Sequence, residues 1–169
     1  MIILSDTCPI CESNKIEIKT FNYYLPKIGK SLIYIFKCLD CGYRTTEIIP
    51  LENKGEKIIE FKIKSEKDLK KIFLKSPFAK VIVKEIELEI IPGSESKFQI
   101  FELSNYIREL IDRLERSKVL FIEDEEKLKS LENKIRYLND VLENKRELTI
   151  IVYDEKGYSD IYELDEKIK

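Results

Sequence analysis

No histidine occurs anywhere in this sequence. A serine or cysteine nucleophile therefore has no imidazole to activate it, and a histidine-based catalytic metal centre cannot be assembled. Tryptophan is absent too, and there is a single methionine. Long apolar runs are missing: none approaches the ~18 residues that a membrane span needs. Met1-Ile2-Ile3-Leu4 is too short for the core of a secretory signal and has no basic flank, so a cytoplasmic location is expected. A basic excess is also missing. Lys plus Arg number 30 against 32 Asp plus Glu, a net charge of −2. No global phosphate-seeking field surrounds such a chain.

Enough apolar material is present for a real core, at 43% of 169 residues. That length suits one medium domain, or a small metal module joined to a second domain. Charged residues reach 37%, and the Lys- and Glu-rich composition fits either a hyperthermophile or an AT-rich genome.

All four cysteines lie in the first quarter of the chain, as Cys8-Pro-Ile-Cys11 and Cys38-Leu-Asp-Cys41, with 26 residues between the pairs. Each C-x2-C pair can form a tight knuckle whose two thiolates point at one ion, and two knuckles give a tetrahedral four-thiolate site. One structural zinc ion is the expected occupant, with iron in the same cage as the alternative. Two disulfides, a redox pair or four unrelated thiols are the other readings. Disulfides are disfavoured without a secretory signal. A shell closed by four protein ligands leaves no position for water or substrate, so it supports structure and not hydrolysis. Such a site contributes about 10–16 kcal/mol of apparent binding energy to folding. Loss of one cysteine is expected to unfold the first ~50 residues, too few to hold together on apolar contacts alone.

Between the knuckles, Lys15 to Leu25 and Ser31 to Lys37 read as a hairpin around the Pro26-Lys27-Ile28-Gly29 turn. Tyr43 to Ile49 offers a third strand. Glu52-Asn53-Lys54-Gly55-Glu56 is a polar linker candidate, giving a four-cysteine ribbon over 1–51 and a β-domain over 57–165. Within the latter, Lys57 to Lys64 reads as strand, and Leu69 to Leu74 as strand or short helix. Val81, Val83, Ile86, Leu88 and Ile90 alternate with a phase slip, which predicts one long strand with a bulge or bend, ended by Pro92-Gly93-Ser94. Lys97 to Phe101 is a short strand. Leu103, Tyr106, Ile107, Leu110, Ile111 and Leu114 then form a helical stripe, and Leu128, Leu131, Ile135, Leu138 and Leu142 form another. Together they predict a helical hairpin inserted at about 103–145, of roughly 103–118 and 124–145 joined by Val119 to Glu126. It either packs within its own domain or offers part of itself to a partner. Leu148 to Tyr153, the Asp154-Glu155-Lys156-Gly157 turn and Tyr158 to Leu164 close the chain as strand, turn and strand.

The residues resemble the Zpr-type zinc-finger family, the archaeal single-module relatives of a eukaryotic zinc-finger protein that binds translation elongation factor 1-alpha. The likeness runs through Cys8-Pro-Ile-Cys11, the Cys38-Leu-Asp-Cys41-Gly42-Tyr43-Arg44 run with Glu47, and Asp68-Leu69 followed by Leu74-Lys75-Ser76. It continues through Ile86 to Pro92 and Leu148 to Asp154 with Gly157, Ser159 and Ile161. Glu12 stands where the family often has glycine. This resemblance implies a zinc ribbon followed by a double-stranded β-helix-like domain with a helical hairpin insertion, mostly β overall. It also implies binding, and assistance to the folding, of the archaeal counterpart of elongation factor 1-alpha.

A protein-interaction module is thus expected, with a nucleic-acid-binding zinc ribbon as the alternative. Tyr43 and Arg44, beside the second knuckle, are the candidate partner-binding residues. Otherwise Tyr43 belongs to the ribbon core and Arg44 pairs with Glu47. Lys27, Lys30, Lys37 and Arg44 around Tyr23, Tyr24 and Tyr34 would be the basic patch of the nucleic-acid alternative. Catalysis finds no support. Glu85, Glu87 and Glu89 would share one solvated strand face, and no tuned acid–base pair is evident.

Overall fold

The computed structural model describes residues 7–163. Met1 to Leu4, Leu164 and the outer ends of 1–51 and 57–165 lie outside the described residues.

The knuckles are joined by a three-stranded antiparallel sheet: β1 (Ile16–Leu25), β2 (Gly29–Cys38) and β3 (Arg44–Pro50), in the order β1-β2-β3. Leu25 pairs with Gly29 around the three-residue turn, where Lys27 and Gly29 take positive φ. Ile16 pairs with Cys38 at the far end, so the hairpin returns the second knuckle to the first. Ile18, Thr20 and Tyr24 lie opposite Phe36, Tyr34 and Lys30 on one face, and Phe21 lies opposite Ile33 on the other.

Among the described residues ten strands form three sheets. The second sheet holds β4 (Lys57–Ile63), β9 (Leu148–Asp154), β6 (Ala79–Val83) and β7 (Leu88–Ile90), in that order. The third holds β10 (Asp160–Tyr162), β5 (Ile72–Lys75) and β8 (Gln99–Glu102). All pairings are antiparallel, so hairpins and long returns connect them. A short helix, α1 (Glu66–Leu69), is capped by Ser65, and Asp68 accepts from the Lys64 N–H and the Ser65 hydroxyl. The 69–74 stretch therefore contains both the end of a helix and a strand.

The helical hairpin consists of α2 (Leu103–Ser117) and α3 (Glu125–Leu142). Asp124 caps α3 by accepting the Lys127 N–H, and Asn144 takes a left-handed conformation beyond its C-terminus. One core cluster unites inward residues of the second and third sheets with the stripes of α2 and α3. Phe73, Val81, Val83, Ile150 and Val152 meet Leu103, Ile107, Leu110, Leu138 and Val141 there. Val141, absent from the predicted stripe, is more buried than Leu128, Leu131 and Leu142. The helix face drifts away from a strict seven-residue repeat because this pair packs on a sheet rather than coiling around itself.

One predicted element is overturned. Residues 81–90 are not one bent strand. Val83 ends β6, a 3-10 turn occupies Lys84–Ile86, and Glu87 at φ 47° reverses the chain so that Val81 pairs back with Ile90. The phase slip marked a hairpin connection. Glu85, Glu87 and Glu89 consequently do not line one strand face. Glu85 accepts from the N–H and hydroxyl of Thr149, at 2.8 and 2.6 Å, and Glu89 pairs with Lys80.

A separate apolar cluster seats the first sheet on the rest. Ile28, Leu74 and Tyr158 are buried together, with Leu25, Ile48, Phe98 and Tyr162 against them. Lys27 reinforces this seat by pairing with Asp160 at 2.9 Å and lying over the Tyr162 ring. The 52–56 segment is pinned: Lys54 N–H donates to the Lys156 carbonyl, and the Tyr158 hydroxyl donates to the Glu52 carbonyl.

Candidate metal centre

Two knuckles bring the four thiols together. The first is built by Glu12 N–H donating to the Cys8 carbonyl and Cys8 N–H donating to Ser13, with the Ile10 N–H aimed at the Cys8 sulfur. In the second, Cys38 N–H donates to the Tyr43 carbonyl at 2.8 Å, and the Cys41 N–H points at the Cys38 sulfur. The residue after each knuckle turns left-handed: Glu12 at φ 58° and Gly42 at φ 76°. Glycine accepts this conformation freely, whereas an L side chain resists it by about 1–2 kcal/mol.

All four sulfur atoms lie within 4.8 Å of one another. Cys8 and Cys41 are 3.6 Å apart, as are Cys11 and Cys38. A tetrahedron with Zn–S bonds of about 2.3 Å has edges of about 3.8 Å. The cysteines are unbridged, so the cage fits a single tetrahedral ion and the disulfide reading falls. The Cys38 thiol is drawn down to about 7 by the Cys41 N–H, against the opposing effect of burial. Cys11 goes the other way, up to about 12. A Ser13 N–H favours its thiolate, but the crowding sulfur of Cys41, burial, and the sulfurs of Cys38 and Cys8 together outweigh it. A cation at the centre would relieve that crowding.

Sequence reasoning missed the brace across the knuckles. The Ser13 hydroxyl donates to Asp40 at 2.6 Å, Lys15 pairs with the other Asp40 oxygen at 3.2 Å, and Leu39 N–H donates to the Lys15 carbonyl. Nothing in the spacing marks Ser13 or Lys15. Asp40, inside the second pair, was the one available cue.

Tyr43 is half-buried, tilted against Phe36 in the cluster that contains Cys8, Tyr34 and Cys38. It belongs to the ribbon core. Arg44 is exposed and stands opposite Lys37. Three residues along a strand place Arg44 and Glu47 on opposite faces, and no ion pair joins them among the described residues. The suggested basic patch does not assemble. Lys27 is paired with Asp160 and Lys30 with Glu52, while Tyr34 is buried. Lys37 and Arg44 remain as an exposed pair, and Tyr23 and Tyr24 are exposed on opposite faces of β1.

A different surface stands out at the tip of the helical hairpin. Val119, Leu120 and Ile122 are 68%, 78% and 68% exposed, and Phe121 is half-buried under the Lys127 ammonium. A connection between helices is ordinarily polar. Four apolar residues in succession there were a legible signal, passed over as a simple link.

The family model of the ZPR1 jelly-roll domain matches residues 67–169. A ZPR1-like protein of Methanocaldococcus jannaschii is 28% identical over 155 residues, covering 91% of this chain and 78% of its own length. One from Pyrococcus horikoshii is 26% identical over 172 aligned positions, 96% of this chain and 73% of that protein. The zinc finger protein ZPR1 homolog of Caenorhabditis elegans is 29% identical over 91 residues, 53% of this chain and 20% of that much longer protein.

Proposed function

We propose a function from the premise that the chain belongs to the ZPR1 jelly-roll domain family: it is a zinc-stapled protein-interaction module and not an enzyme. Its partner is the archaeal counterpart of translation elongation factor 1-alpha, whose folding it assists. Cys8, Cys11, Cys38 and Cys41 would hold the zinc. A d¹⁰ ion in a closed thiolate cage supplies rigidity and no reactive position.

The observation that carries the reading is the exposed apolar tip at Val119, Leu120 and Ile122. The tip stands on a helix pair anchored in the core through Leu110, Leu114, Ile135 and Leu138. An apolar knob on a rigid arm suits a partner whose own apolar surface is uncovered, as in an incompletely folded chain. Arg44 and Lys37 on the ribbon offer a second, cationic contact. The nucleic-acid alternative is weaker, because Lys27 and Lys30 are already paired within the chain.

The test is co-purification of the full chain with the elongation factor, in parallel with Leu120→Ser. Capture by the wild-type chain and its loss in the variant, with unchanged melting, is expected. Equal capture by both would remove the tip from the reading. Recovery of RNA in place of the factor, lost when Lys37 and Arg44 are neutralised, would favour the nucleic-acid alternative.

A further inference from the structure

The outer edge of β3 carries a row of unpaired backbone groups. Leu51 N–H donates to the Lys30 carbonyl at 2.9 Å, and Cys38 N–H donates to the Tyr43 carbonyl at 2.8 Å. Both pairs extend the β2–β3 register, in which Ser31 faces Pro50 and Lys37 faces Arg44. Hydrogen-bonded pairs alternate along an antiparallel ladder. Thr45, Glu47 and Ile49 therefore direct their backbone groups to β2, while Thr46 and Ile48 direct both N–H and C=O away from it. β3 is the last strand of its sheet, and among the described residues nothing hydrogen-bonds to those four groups.

This edge borders a cleft of about 500 Å³. Thr46, Glu47, Ile48, Ile49 and Pro50 form one wall of it. The other walls come from the jelly-roll connections, with Pro77, Phe78, Pro92 and Phe98 supplying apolar surface. Proteins usually blunt an exposed edge with charge, bulges or a covering loop. Here the connections stand off and leave a slot, and Pro50, which has no N–H, ends the donor row.

Charge in the cleft has one dominant sign. Glu47, Glu95 and Glu155 line it, against Lys97. The Lys97 ammonium is already engaged by the Thr45 hydroxyl at 2.8 Å. The two sides of an added strand would also differ. Ile48 packs in the apolar cluster with Leu74, Phe98 and Tyr158. Glu47, one residue away, points to the opposite face.

We propose that this cleft binds an extended segment of a partner protein that pairs with Thr46 and Ile48 as an added β-strand and alternates apolar with basic residues. Apolar side chains lie on the Ile48 face and basic ones on the Glu47 face. Main-chain pairing supplies affinity, and the alternation supplies selectivity. The site is separate from the hairpin tip and stands whether or not the tip's partner is the elongation factor.

The probe is a short, end-capped peptide alternating valine and lysine, titrated into the full chain by fluorescence polarisation. Three comparisons accompany it. A glutamate-for-lysine version is expected to bind at least about tenfold more weakly. N-methylation of the peptide edge that meets β3 is expected to weaken binding about tenfold, and methylation of the opposite edge to leave it intact. Thr46→Pro removes one outward N–H without touching the β2 ladder, and is expected to weaken the lysine peptide while metal content and melting stay unchanged. Should Thr46→Pro disturb folding, the methylated pair carries the same test on the unaltered protein. Absence of binding, or equal binding by all the peptides, would overturn the proposal. So would a concentration-dependent dimer dispersed by Thr46→Pro, because a second copy would then occupy the edge.

Discussion

Gly157 packs so closely on Gly55 that a Cβ added to it would stand 2.2 Å from the Gly55 carbonyl oxygen. Gly157 is also left-handed, at φ 71°. Gly157→Ala therefore meets two penalties, a backbone collision and an unfavourable φ. We expect a loss of about 2–4 kcal/mol, read as a lower denaturant midpoint. Gly93, which has open space around it, is the control, and its alanine variant should leave the midpoint nearly unchanged.

Glu12 offers the opposite change. It occupies the left-handed position that glycine fills after the second knuckle. Glu12→Gly should stabilise by about 0.5–1 kcal/mol, the relieved strain exceeding the entropy that glycine adds to the unfolded chain. The same variant should lose its metal to a chelator more slowly. Gly42→Ala should lose it faster.

Removing a thiolate tests the cage itself. Cys38→Ser is expected to abolish stoichiometric metal binding and to unfold the ribbon, because the apolar cluster around Tyr34 and Phe36 is too small to hold it. Elemental analysis and amide exchange over residues 16–50 report the two effects separately. Retained metal with a folded ribbon would refute the four-thiolate centre.

Asp154 sets a pH dependence. The carboxylate is 2% exposed and accepts N–H bonds from Lys156 and Gly157 at 3.0 Å each and from Ser159 at 2.7 Å. Burial disfavours its charge, but the hydroxyls of Ser159 and Ser76 and these N–H groups outweigh burial and hold its pKa below 3.8. The unfolded chain therefore takes up the proton first as pH falls. The stabilisation is complete above pH 3.8 and disappears as pH drops through the lower folded value. Asp154→Asn should cost about 1–3 kcal/mol at neutral pH and should flatten the acid limb of a stability profile.

Much of the architecture was legible because its signals are local. Cysteine spacing, the Pro26–Gly29 turn and the three- and four-residue stripe from Leu103 to Leu114 each act within a few residues. The 81–90 hairpin was misread because Glu87, a residue with no turn signature, takes a left-handed conformation that the surrounding sheet enforces. Tyr43 could not be placed from sequence, since its burial depends on Phe36 across the sheet. The Thr46 and Ile48 edge was invisible for a deeper reason. Which groups a strand leaves unpaired depends on register and sheet order, and neither is written in any one segment.

The seat of the ribbon has a consequence for synthesis. Lys27 finds its partner at Asp160, and Glu52 finds its partner at Tyr158. The ribbon's sequence leaves the ribosome well before Tyr158 and Asp160, which lie more than a hundred residues further along the chain. At a usual rate of about 5–20 residues per second, the interval is on the order of ten seconds. Through that time Leu25, Ile28 and Ile48 lack the cover of Tyr158 and Tyr162, and the growing chain exposes the kind of apolar surface that nascent proteins must keep from aggregating.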